Sequence, residues 1–121
     1  MRAARPGSVW TASRSRRRAT YTDYMTSPDW FARRDWWLTE HQRRTGQPAT
    51  CVVCGATDID LHHLDYQRLG RESYDDLLAI CRIHHDRLHA AWDATPHLRR
   101  LGRRTATIAV VRGMRSGARE A

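Results

Sequence analysis

Between residues 27 and 46 apolar and charged positions are spaced as on a helix. Trp30, Phe31, Trp37 and Leu38 recur at i, i+1, i+7 and i+8, which puts them on one face. Ser27 suits the N-cap, Pro28 the first helical position, Asp29 the positive helix end, and Gly46 is a C-terminal stop. These signals predict a helix over 28–44, and Trp30, Trp36 and Trp37 read as core-packing aromatics. After Pro48 the texture changes: Cys51 to Cys54 followed by Gly55 predicts a turn, Ile59 to Asp65 a strand, and Gln67 to Asp75 a loop around Gly70. Leu77, Leu78 and Ile80 form an apolar lead into Cys81, and His85 to Trp92 fits a short helix with Leu88 and Trp92 on its buried side. Residues 94–104 are basic and polar. Thr105 to Val111 is β-branched and apolar enough to predict a strand, with Gly113, Gly117 and further arginines reading as a tail. Residues 1–20, with Pro6, Gly7, Ser8, Ser13 and Ser15 among arginines, lack periodicity and read as a disordered basic arm.

Charge sharpens this division. All 21 cations are arginine, against 13 acids, for a net charge of +8. Residues 1–20 hold six arginines and no acid, residues 98–121 seven arginines and Glu120, and the middle eight arginines against twelve acids. Basic ends around a mildly acidic centre suggest a polyanionic partner, with Arg14, Arg16, Arg17, Arg18, Arg99, Arg100, Arg103 and Arg104 as candidate phosphate contacts. The plainer alternative is that the arginines solubilise a small domain, and the first twenty residues also loosely fit a transit peptide. A chain of 121 residues with 40% hydrophobic residues cannot build a large core, so something besides apolar burial is expected to hold it. An odd cysteine count of three, and no long apolar run, disfavour a disulfide scaffold, a secretory signal and a membrane span. The expectation is a protein of a reducing, cytoplasmic compartment with no membrane partner and no organic cofactor.

All three cysteines and five of the seven histidines fall between residues 51 and 89. Cys51 and Cys54, then Cys81 and His84, make two knuckles of two-residue spacing, the pattern by which four soft ligands close a tetrahedral structural Zn²⁺ site. His62, His63, His85 and His89 are surplus to that zinc. His85 and His89 are one helical turn apart and can address one metal, whereas His84 is rotated about 100° from His85 and serves another. On a strand His62 and His63 point to opposite faces: one can complete a three-imidazole metal site and the other is free as a base. A four-ligand zinc ribbon leaves these histidines unexplained. A two-Cys two-His finger would need 30 residues between Cys54 and His85, where about twelve are usual.

The segment 51–89 resembles the HNH endonucleases, which share the ββα-metal fold. The resemblance is carried by Cys-Val-Val-Cys-Gly at 51–55, Leu-His-His-Leu-Asp-Tyr at 61–66, Asp-Asp-Leu-Leu-Ala-Ile-Cys at 75–81 and Arg-Ile-His-His-Asp-Arg-Leu-His at 82–89. It covers about a third of the chain, and more than half with the helix from Ser27 that many small phage and bacterial members also show. It implies an α+β fold, with the nuclease domain over 21–95 and its zinc-knuckle core over 50–93, between flexible basic tails at 1–20 and 96–121. It also implies that His62, His85 and His89 hold a catalytic divalent metal, that His63 is the general base, and that Asp76 is the middle residue orienting the base loop. That middle position is often Asn, and Asp76 can accept a hydrogen bond but not donate one. His84 stands where cysteine is usual in the second knuckle, and imidazole is an ordinary zinc ligand.

The implied activity is hydrolysis of DNA phosphodiesters to 5′-phosphate and 3′-hydroxyl ends, in a bacterium or a phage-infected cell. Three imidazoles favour a transition metal such as Zn²⁺, Ni²⁺ or Mn²⁺ over Mg²⁺, which prefers oxygen. Two other classes stay open: a catalytically silent, zinc-stabilised DNA-binding protein, and a toxin-type nuclease with an immunity partner.

Overall fold

The computed structural model describes residues 20–120, with side chains to residue 117. A short helical segment, α1, covers residues 20–25 and hands the chain to α2, Pro28–Thr45. The boundaries of α2 are the ones its end residues dictate. The Ser27 hydroxyl accepts from the Trp30 N–H at 3.2 Å, Pro28 opens the helix, and Gly46, at φ 75°, closes it by donating to the Gln42 carbonyl at 2.8 Å. Two strands, β1 (Asp60–His63) and β2 (Leu77–Ile80), pair antiparallel with His62 opposite Leu78 and His63 opposite Leu77. A 3₁₀ turn at Tyr74–Asp76 leads into β2. Three helices complete the order: α3 (Arg82–Ala94), α4 (Pro96–Arg100) and α5 (Arg103–Glu120).

The alternation of side chains along the hairpin divides the core. Leu61, Leu77 and Ala79 pack against Trp30 and Trp37 of α2, whereas Ile80 on the other face packs with Cys51, Cys81 and Leu88, flanked by Val110 and Met114 of α5. Trp37 is the anchor of the first cluster: its indole stacks on Tyr74 with centroids 5.2 Å apart and donates to the Tyr74 carbonyl at 2.9 Å. Truncating Trp37 to alanine removes both the packing and that bond. It is expected to lower unfolding stability by about 3–5 kcal/mol in denaturant melts.

Three expectations are corrected. Phe31 and Trp36 are exposed rather than in the core, because α2 buries only the narrow stripe through Trp30 and Trp37 against the hairpin and the 3₁₀ turn; the Arg33 guanidinium lies 4.9 Å from the Trp36 ring centroid. The strand expected over 105–111 is helix, and the segment expected as a flexible C-terminal tail forms α4 and α5. The reason is visible in α5: Ala106, Thr107, Val110, Val111 and Met114 face inward at i, i+1, i+4, i+5 and i+8. Burial of that stripe outweighs the β-preference of its threonines and valines. Residues 1–19, including Arg14, Arg16, Arg17 and Arg18, lie outside the described residues. No helix among the described residues is long and apolar enough to cross a membrane.

Candidate active site

Two clusters of metal-ligating side chains lie on the same face of the hairpin, one at each end of the first turn and a half of α3. The first is the knuckle pair. A tight turn at residues 52–54, closed by Gly55 N–H to the Cys51 carbonyl at 2.9 Å, presents Cys51 and Cys54 to Cys81 and His84 at the start of α3. The ligand atoms of all four lie within 4.8 Å of one another. With Zn–S near 2.3 Å and Zn–N near 2.05 Å, a tetrahedral site needs S···S of about 3.8 Å and S···N of about 3.6 Å. Cys54 and Cys81 Sγ are 3.8 Å apart, and His84 Nδ1 is 3.2 Å from Cys81 Sγ and 3.9 Å from Cys51 Sγ. Burial pushes the Cys51 thiol up, but backbone N–H groups of Cys81, Cys54 and Val53 more than offset it and favour the thiolate a metal needs. The donor set and its spacing fit zinc.

The second cluster is His62, His85 and His89. His62 Nδ1 and His89 Nε2 each approach His85 Nε2 to 3.2 Å, against about 3.3 Å between two nitrogens on a tetrahedral metal. His85 and His89 share a face of α3, and His62 reaches them from β1. Their other ring nitrogens are held from outside: Asp60 Oδ2 lies 3.1 Å from His85 Nδ1, and Thr107 Oγ1 lies 3.4 Å from His62 Nε2. Such outer partners fix ring orientation around a metal. Burial, and after it the charge of Arg103, His85 and His89, holds His62 well below the usual imidazole range, so it is neutral and able to ligate. Three protein ligands leave a metal an open coordination position, unlike the four-ligand knuckle site.

His63, the next residue along β1, projects to the α2 side. Its ring is packed by Trp30 at 5.0 Å and by Tyr21 and Tyr66 at 6.0 and 5.9 Å between centroids, and it is 2% exposed. His63 Nε2 is 2.6 Å from Glu72 Oε2, and Nδ1 is the one buried side-chain polar atom without a hydrogen-bond partner among the described residues. Burial pushes the Glu72 carboxyl up, but hydrogen bonds from His63, its own backbone and Tyr24 outweigh it and keep Glu72 an anion.

Asp76 touches neither imidazole. Its carboxylate receives Arg68 at 2.7 and 2.6 Å, Arg104 at 2.8 Å and the Ser73 N–H at 2.8 Å, while its carbonyl accepts from the Leu64 N–H at 2.8 Å. Its contribution to the site is therefore to fix the backbone just after His63. Of the C-terminal arginines, Arg104 is tied to Asp65, Asp75 and Asp76. Arg103 donates to the His63 carbonyl at 3.2 Å and lies over the Tyr66 ring, whereas Arg99 and Arg100 on α4 are exposed.

A cavity of about 290 Å³ joins these groups. It is lined by His62, His63, His85 and His89 together with Arg34 of α2, Arg82 of α3 and Arg103 of α5. The one acid lining it, Asp60, is bonded to Arg82 and His85. The cavity is cationic before any metal is added, and suits an anionic ligand. Asp60, Glu72 and Thr107 were not evident in the sequence, since each is identified only by the ring nitrogen it meets. Comparison of the chain with models of protein families, with curated proteins and with solved structures finds no match.

Proposed function

We propose that the protein is a metal-dependent endonuclease of the HNH type that hydrolyses phosphodiester bonds in DNA. The observation that carries this reading is the convergence of three imidazole nitrogens beside a buried histidine with a free Nδ1, inside a cavity lined by three arginines. The antiparallel hairpin followed by α3 also agrees with the ββα arrangement that the motifs imply. A divalent metal held by His62, His85 and His89 would supply Lewis-acid stabilisation of the phosphate and leaving oxygen. His63 takes the proton of the attacking water. Arg34, Arg82 and Arg103 bind and neutralise the phosphate, which matters most as charge builds in the transition state. Cys51, Cys54, Cys81 and His84 hold zinc and fix the start of α3, so that His85 and His89 meet His62.

Supercoiled plasmid incubated with the protein and Mn²⁺, Ni²⁺, Zn²⁺ or Mg²⁺ in turn tests this. Conversion to open circles is expected with at least one transition metal and to a smaller extent with Mg²⁺. Tight plasmid binding with no strand cut under any of the four metals would favour the silent DNA-binding protein instead.

The basic arm adds affinity rather than chemistry. Deleting residues 1–18 removes six arginines and no acid. Each phosphate contact contributes a slope of about −0.9 in log affinity against log salt, so loss of three or four contacts should flatten the salt dependence by roughly three units. Cleavage at saturating DNA is expected to stay nearly constant. An unchanged salt slope in the truncated protein would make the segment a solubility tail.

A further inference from the structure

Glu72 belongs to none of the motifs that point to a nuclease, yet its carboxylate is buried against His63. A buried carboxylate is costly unless its lone pairs are used, and Glu72, 2% exposed, has no arginine on its side chain among the described residues. Its two oxygens are divided between two donors: Oε2 meets His63 Nε2 at 2.6 Å, and Oε1 accepts the Tyr24 hydroxyl at 2.8 Å. Its backbone is tethered as well, the Arg33 guanidinium reaching the Glu72 carbonyl at 3.4 Å. Glu72 is thus tied to α1 through its carboxylate and to α2 through its backbone carbonyl, which fixes where its carboxylate meets the imidazole.

The geometry points to Glu72 as the positioning residue of the general base: it fixes His63 as the Nε2–H tautomer, leaving the Nδ1 lone pair as the atom that takes a proton. The inference rests on the nuclease reading of the cavity. An ionised carboxylate only accepts, so the ring nitrogen facing it must carry the hydrogen, and a neutral imidazole then has its acceptor at the other nitrogen. That other nitrogen is Nδ1, buried and without a partner, on a ring that lines the cavity with the three histidines. Trp30, Tyr21 and Tyr66 pack the ring with aromatic surface, so no competing polar group pulls it into another orientation. In the step this prepares, an O–H bond of water breaks and its proton passes to Nδ1. The water oxygen bonds to phosphorus, the bond from phosphorus to the 3′-oxygen breaks, and that oxygen takes a proton from solvent. Glu72 touches none of the reacting atoms; it decides which imidazole nitrogen faces them.

Long-range ¹H–¹⁵N correlation spectra of the full chain, loaded with diamagnetic Zn²⁺, read the His63 tautomer without any DNA. The expected spectrum has a protonated Nε2 and an unprotonated Nδ1. Glu72→Leu should lose the fixed tautomer and lower kcat for plasmid nicking by about 10–100-fold, the scale typical of removing a functional histidine's outer partner, with KM nearly unchanged. Glu72→Gln, which keeps an acceptor oxygen, should retain the tautomer and recover most of the rate. A hydrogen on Nδ1 in the parent protein overturns the inference, and this result does not depend on any variant folding. Retention of both tautomer and rate in folded Glu72→Leu overturns it too. Absence of nicking by the parent, with the tautomer as expected, would instead refute the nuclease reading and leave the Glu72–His63 geometry standing.

Discussion

Replacing His63 by alanine is expected to lower the rate of DNA cleavage by about 10²–10⁴-fold while the affinity for duplex DNA stays close to that of the parent protein. In the proposed nuclease the two effects separate because a base acts only as the transition state forms, whereas binding would come from arginines that the substitution leaves in place. The variant also strands the Glu72 carboxylate in a buried position, at a cost of about 1–3 kcal/mol in stability. Melting curves must therefore accompany the rate measurements. A folded variant that lost binding and cutting in equal measure would make His63 a structural or DNA-contact residue.

Removing a zinc held by Cys51, Cys54, Cys81 and His84 is expected to have a larger effect on the fold than any single core substitution. The knuckle ligands come from the turn at Cys51–Cys54 and the start of α3, and Cys51 and Cys81 are themselves core residues beside Ile80 and Leu88. Structural zinc contributes roughly 10–16 kcal/mol of apparent binding energy, comparable with the whole stability of a small domain at about 5–15 kcal/mol. Chelation, or Cys54→Ser at the exposed corner of the site, should therefore unfold the hairpin and α3 and abolish the helical circular dichroism of the central region. Purified protein that carries no zinc, with a circular dichroism spectrum indifferent to chelator, would sink this expectation.

What could be read from the sequence is what short-range spacing encodes. The ends of α2 follow from Ser27, Pro28 and Gly46, each acting on backbone groups within four residues. The separation of His84 from His85, and of His62 from His63, follows from the geometry of one helix and one strand. The knuckle set comes together as its spacing implies, and of the two strand histidines that spacing left open, His62 is the one that meets the helix pair. What escaped detection depends on distant packing. Thr105 to Val111 has the composition of a strand, and only the buried stripe from Ala106 to Met114 makes it a helix. Once α5 is in place it delivers Thr107 to His62 and Arg103 to the cavity, across 45 and 40 positions of sequence. Glu72 lies in a loop whose residues show no periodicity, and its importance arises from a side-chain pairing that spacing does not encode. Asp76 is marked by its place in the motif as the residue that orients the base loop, but the partners of its carboxylate, Arg68, Arg104 and Ser73, are set by packing that spacing does not encode.

The most direct test of a catalytic metal at the three histidines is a titration of cleavage rate against metal bound per chain. Protein carrying one zinc per chain, at the knuckles, is expected to be inactive on plasmid. Activity should rise in step with a second equivalent, and His85→Ala should abolish both that second equivalent and the cleavage. Full activity at one metal per chain, or none when two are bound, would contradict it.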